Sequence, residues 1–147
     1  MTNPLVSVLI VNWNGAKWLP ECLDSLLQTR YQPIEIVVVD NASSDESLAI
    51  LEQYPMVKVV KNTENSGFAK GNNIGFPYTH GKYVVTLNND MTVDPDWLTE
   101  PVDYLENDQE LGSIACRQMK YSDHAVIDGL YHQVYPFCKP IYRAVFS

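Results

Sequence analysis

Four short polar stretches hold the residues of this chain that could do chemistry: Asn12-Trp13-Asn14-Gly15, Asp40-Asn41-Ala42-Ser43-Ser44, residues 62–73, and Asn88-Asn89-Asp90. An aspartate at a ligand edge is a natural partner for a hard cation. Mg2+ or Mn2+ held by one or two carboxylates usually completes its shell with substrate phosphates, and such an ion neutralises a leaving diphosphate. Trp13 offers a flat face to a nucleobase, and Asp40 offers an acceptor to the N–H of a pyrimidine imide. Together these types select a nucleoside diphosphate bearing a transferable group. Each stretch alone has a plainer reading, because Asp40 and Asp90 can cap turns and asparagine tolerates left-handed backbone. Repetition favours the chemical one: each stretch follows an apolar run.

Those runs must position the polar ends. Residues 5–11, Ile34–Asp40, Val57–Lys61 and residues 83–87 are short, apolar and rich in β-branched side chains, so each predicts a strand; residues 111–117 predict a fifth. Leu19, Cys22, Leu23, Leu26 and Leu27 recur at the spacing of one helical face. Ser43 and Glu46 stand in S-x-x-E spacing, which predicts a capping box opening a second helix that ends before Pro55. A third helix is expected from near Gly67, broken or kinked by Pro77, and Asp94-Pro95-Asp96-Trp97 reads as the cap of a fourth. Strands buried on both faces and separated by helices imply βαβ units and a parallel sheet, with ligands bound outside the carboxyl ends of the strands. The glycine-rich stretch after Asn65 fits neither G-x-G-x-x-G nor G-x-x-x-x-G-K-[ST], which excludes the corresponding phosphate loops.

At 147 residues, with 46% hydrophobic and 19% charged side chains, the chain is long enough for one domain with a real core. A net charge of −8 disfavours a nucleic-acid partner. Cys22, Cys116 and Cys138 read as reduced thiols, and with His80, His124 and His132 they show no ligand pair at zinc spacing. The amino terminus lacks a basic region and its apolar run is too short for a signal peptide or a membrane span. The expectation is a cytoplasmic protein, including one peripheral to the inner face of a membrane. Residues 1–120 are expected to form the core and residues 121–147 an aromatic-rich tail.

In order, "VSVLIVNWNG", "IVVVDNASSD", "NSGFAKGNNIG" and "YVVTLNNDMTVDPDWL" resemble the successive motifs of family 2 glycosyltransferases, over residues 5 to about 117. The rhamnosyltransferase-like subgroup, with N-N-D in place of D-x-D, is the most similar. The resemblance implies an α/β fold, the GT-A-type, Rossmann-like α/β/α sandwich with a mostly parallel sheet, cut before the acceptor half. It also implies a UDP- or dTDP-sugar donor, a saccharide or lipid-linked acceptor, Mn2+ or Mg2+, and inversion assisted by a carboxylate base.

Position by position, Trp13 matches the aromatic that stacks on the nucleobase, with Asn12 and Asn14 shaping the pocket. Asp40 matches the acid that bonds the base. Asn65, Gly67 and Lys70 fall in the loop lining the nucleotide, with Asn72 and Asn73 on the helix behind. Asn89 takes the place of the first acid of the D-x-D-type motif, near the ribose, and Asp90 that of the metal ligand. The family's base lies farther downstream. No E-D pair follows residue 117, and Asp123 and Asp128 are the acids left to serve. The chain is therefore expected to be a donor-binding portion whose tail covers the sheet edge or meets a second copy in a homodimer. The alternative is a nucleotide-diphosphate-binding module without turnover. A sugar-nucleotide pyrophosphorylase would need a G-x-G-T-R-L-type loop where "NWNGAKWL" stands. A flavodoxin-like or receiver domain leaves Trp13 with Asn88-Asn89-Asp90 unexplained.

Overall fold

A computed structural model describes residues 2–129 of the chain. The β-branched runs form β1 (Val6–Asn12), β2 (Ile34–Asp40), β3 (Val57–Lys61) and β4 (Tyr83–Asn88). Between them lie α1 (Leu19–Leu27), α2 (Ser47–Leu51) and α3 (Gly67–Gly75). All four strands are parallel, in the order β3-β2-β1-β4. The register sets Asn12 opposite Asp40, Asp40 opposite Lys61 and Val11 opposite Asn88, so the four carboxyl ends stop along one line. The chain winds outward from β1 through β2 to β3, then returns to place β4 on the other side of β1. The strand order thus reverses between β1 and β4, and a crevice at the carboxyl edge is expected there.

Alternation along β1 and β2 divides the core into two layers. Val8, Ile10, Ile36 and Val38 pack with Leu19, Cys22, Leu23, Leu26 and Leu51 from α1 and α2. Leu9, Val37 and Val39 face the other way, with Ile74 of α3 and Val84 against them. The result is a three-layer α/β/α sandwich. Helix α3 lies close on the sheet because glycines face it: a Cβ on Gly75 would stand 2.5 Å from Leu9 Cδ1, and one on Gly71 2.8 Å from Val11 Cγ1. Pro77 ends α3 as expected, in a short 3-10 turn over Phe76–Tyr78.

Several expectations need correction. The central strands β1 and β2 are buried on both faces, but β3 and β4 flank them and are only partly covered. Ser43 and Glu46 make no capping box, since α2 has no side-chain cap and Ser43 bonds to the loop after β1 instead. Residues 94–97 form a turn docked on the segment that follows α1: Arg30 pairs with Asp96, and Trp97 Nε1 donates to Thr29 Oγ1 at 3.1 Å. The fourth helix, α4 (Thr99–Asn107), begins after that turn. Residues 111–117 form no strand. Their apolar side chains are too sparse, and pairing occurs farther along, in an antiparallel hairpin of β5 (Gln118–Lys120) and β6 (Asp123–Gly129). The described residues divide into two compact units, one through Trp97 with the sandwich and one from Leu98 with α4 and the hairpin. No helix among the described residues is long and apolar enough to cross a membrane.

A clasp closes the amino edge of the sheet. Ser7 on β1 donates to Glu35 on β2, and the backbone N–H of His80 donates to the same carboxylate. Gly81 N donates to Ser7 Oγ at 2.8 Å, and His80 Nδ1 lies 3.2 Å from Glu35 Oε2. Partial burial pushes the Glu35 carboxyl up, but the bonds from Ser7 and His80 outweigh it and hold it below its ordinary value.

Candidate functional site

The carboxyl edge is organised by two buried asparagines. Asn12, the last residue of β1, has no exposed surface and uses every hydrogen-bonding group of its side chain. Its Nδ2 donates to Asp40 Oδ1 at 3.1 Å and to Ser43 Oγ at 3.2 Å, while its Oδ1 accepts from Asn89 Nδ2 at 2.8 Å. One side chain therefore ties the ends of β2 and β4 across β1. Asp40 is 1% exposed, and its Oδ2 accepts from Ser43 N at 3.0 Å. Both its oxygens thus already hold protein donors.

Asn41 does for the next loop what Asn12 does for the strands. It is 1% exposed, donates to Asn65 Oδ1 and to the Gly67 carbonyl, and accepts from Asn62 and Ser66. Asn65 in turn accepts from Gly67 N at 2.9 Å, and Gly67 opens α3 with φ of 76°, a conformation that disfavours side chains. Lys70 pairs with Glu64 at 3.3 Å on the surface. Asn72 Nδ2 donates to the Phe68 carbonyl one turn back, and Asn73 is exposed.

The loop after β1 is sewn to the loop after β2. Asn14, at φ 49°, accepts from Ser44 N at 2.8 Å, Gly15 N donates to Ser47 Oγ, and Ala16 N donates to Asp45 Oδ2. Gly15 packs against the asparagine pair so closely that a Cβ there would stand 2.2 Å from both Asn12 Oδ1 and Asn89 Nδ2. Trp13 stands out of this stitched loop at 55% exposure.

On the β4 side Asp90 is exposed. Beneath it, the Cys22 thiol of α1 donates to the Asn88 carbonyl at 3.8 Å. Burial first, and then the nearby Asp90 charge, push that thiol up to about 12. It stays protonated at neutral pH and offers no soft thiolate. Among the described residues no three His, Cys, Asp or Glu side chains gather to hold a metal ion. One open carboxylate at a strand end, with only amides beside it, suits a hard cation that keeps water and takes phosphate oxygens. It does not suit a fully caged ion.

The structure thus brings Asn12, Trp13, Asn14, Asp40, Asn89 and Asp90 to one end of adjoining strands, and keeps Asn65 in the loop that Asn41 holds, while Gly67 and Lys70, expected in that loop, lie in the first turn of α3. Asp123 lies in β6, where its Oδ1 accepts from Ala125 N at 3.0 Å, and Asp128 lies in the same strand. Sequence reasoning missed Gly15 and Asn41 as organisers. Gly15 was visible as the glycine closing N-x-N-G, and Asn41 as the polar neighbour of Asp40.

A parallel α/β/α sandwich whose polar edge lies at a strand-order reversal is a Rossmann-like arrangement, and its likeness to a solved mannosyltransferase makes it the GT-A form. The family model "Glycosyl transferase family 2" matches residues 7–143, and the chain belongs to that family. A glycosyltransferase of Haemophilus influenzae is 31% identical over 74% of this chain and 35% of its own length. The O-antigen biosynthesis protein RfbC of Myxococcus xanthus is 36% identical over 78% of this chain and 9% of its own. Among solved structures, the mannosyltransferase PcManGT of Pyrobaculum calidifontis, in complex with GDP-Man and Mn2+, superposes with a TM-score of 0.74. It is 28% identical and covers 84% of this chain and 38% of that one. S. aureus TarS 1-349 in complex with UDP gives a TM-score of 0.66 at 28% identity, over 69% of this chain and 32% of that one. The chain spans roughly a third of the length of the first curated relatives it matches, from 30% to 40%.

Proposed function

We propose that this chain carries the donor-binding portion of an inverting, metal-dependent glycosyltransferase that takes a UDP- or dTDP-sugar and serves a saccharide or lipid-linked acceptor. One observation carries the reading: at the strand-order reversal, exposed Trp13 and exposed Asp90 flank a network whose buried members are committed to one another. The committed groups give shape, and the exposed ones are left for ligand. Trp13 stacks on the base. Asp40, buried and holding a protein donor on each oxygen, shapes the floor beneath the base. Asp90 supplies the carboxylate that holds Mn2+ or Mg2+ against the diphosphate, and the ion when bound offsets the charge of the leaving group.

The relatives support this reading, with GDP-Man and Mn2+ in one neighbour, UDP in another, and O-antigen biosynthesis in the name of a third. Asp123 and Asp128 are proposed as candidate bases. A homodimer through the tail concerns residues that lie largely outside those described. The proposed setting is the cytoplasm or the inner face of a membrane. Titration calorimetry with UDP and with dTDP, in Mn2+ and in EDTA, tests the reading. Binding that needs Mn2+ is expected. Equal affinity in EDTA, or no binding of either nucleotide, contradicts it.

A further inference from the structure

We propose that Asn12 is a polarity relay, a positioning residue through which the Asp40 carboxylate decides which atom of the Asn89 amide is presented to the ligand crevice. The inference deepens the donor-site reading and rests on it for the identity of the ligand. Asp40 accepts on both oxygens, from Ser43 N and from Asn12 Nδ2. A carboxylate has no hydrogen to donate, so the amide of Asn12 must turn its NH2 toward Asp40. Its second hydrogen goes to Ser43 Oγ at 3.2 Å. Only the Oδ1 of Asn12 is left for β4, and it accepts from Asn89 Nδ2 at 2.8 Å. The amide of Asn89 is thereby fixed, with its Oδ1 on the side away from Asn12.

No hydrogen bond to that oxygen occurs among the described residues. Asn89 therefore offers an acceptor beside the Asp90 carboxylate. It meets a ribose hydroxyl or an ion's water as an aspartate would, without a second negative charge. Asn12 is wholly buried, and Gly15 leaves no space for another side chain against the Asn12–Asn89 bond.

The relay has a direction, and the direction can be reversed. In Asp40→Asn the new amide must keep its oxygen toward Ser43 N, which turns its NH2 on Asn12. Asn12 then flips, Asn89 flips in turn, and a donor replaces the acceptor in the crevice. In Asn89→Asp a carboxylate oxygen meets Asn12 Oδ1, acceptor against acceptor. The double variant Asp40→Asn/Asn89→Asp runs the chain backward: residue 40 donates to Asn12, Asn12 donates to residue 89, and an oxygen again faces the ligand.

The test is the four-protein cycle read by thermal unfolding and by calorimetry with UDP in Mn2+. Asn89→Asp is expected to lower the midpoint by about 4 °C or more and to weaken UDP about tenfold. Asp40→Asn is expected to weaken UDP by at least as much. The double variant is expected to recover midpoint and affinity relative to Asn89→Asp, a coupling between residues joined through Asn12. Losses that simply add in both readouts would overturn the relay. If the wild type binds no UDP, the donor-site reading fails on its own, and the unfolding midpoints alone decide the relay.

Discussion

The two ends of the sheet are both closed by polar side chains, but they are closed in different ways. At the amino edge one carboxylate, Glu35, gathers the Ser7 hydroxyl, two backbone N–H groups and the His80 ring. Its donors converge, and the clasp ends in itself. At the carboxyl edge a carboxylate, Asp40, starts a chain of amides that runs through Asn12 to Asn89 and stops beside an exposed acid. Converging bonds make a fastener, whereas bonds in series carry an orientation from one strand to another. A polar strand end alone does not mark a ligand site. The mark is a committed network with uncommitted groups at its rim.

The contrast can be broken most severely at Gly15. A Cβ 2.2 Å from both amide atoms must separate them. Gly15→Ala is expected to cost about 2–4 kcal/mol, combining overpacking with the loss of a buried hydrogen bond, and to reduce UDP affinity with it. Urea unfolding measures the first and calorimetry the second. An unchanged unfolding midpoint would mean that the loop relaxes freely and does not hold the relay.

At the other edge, Glu35→Gln is expected to lower stability by about 1 kcal/mol at neutral pH and to leave UDP binding unchanged. The pH dependence sharpens this. Because the folded Glu35 carboxyl titrates below its ordinary value, its contribution is present at neutral pH and is lost as pH falls through the acid range. Glu35→Gln should therefore flatten the acid limb of the stability profile. A limb as steep as that of the wild type would place the acid sensitivity elsewhere. A nucleotide-binding defect in this variant would erase the functional distinction between the edges.

The smallest expected effect is at Lys70. Its exposed pair with Glu64 should contribute less than about 0.5 kcal/mol, so Lys70→Ala should leave the unfolding midpoint almost unmoved. Any loss of UDP affinity in that variant then reports contact with the nucleotide.

Much of the sandwich was legible because burial writes itself into residue type. The β-branched runs gave β1 to β4 within a residue or so, and the Leu19–Leu27 periodicity gave α1. Ser43 was misread because S-x-x-E spacing is a local signal, and here Asn12 at the end of β1, 31 residues away in sequence, competes for the same hydroxyl. Residues 111–117 were misread because four scattered apolar side chains mimic a strand with no partner in register. The site was legible as residue types at strand ends. Its wiring was not, because Asn12 and Asn89 lie 77 residues apart and meet only through the parallel pairing of β1 with β4.

The most direct measurement is UDP titration into the wild type and into Asp90→Ala, each in Mn2+ and in EDTA, with thermal unfolding of both proteins alongside. Wild-type affinity is expected to fall about tenfold or more when Mn2+ is removed. Asp90→Ala is expected to bind equally weakly in both conditions at an unchanged unfolding midpoint. An Asp90→Ala protein that keeps the full gain from Mn2+ would contradict Asp90 as the metal ligand.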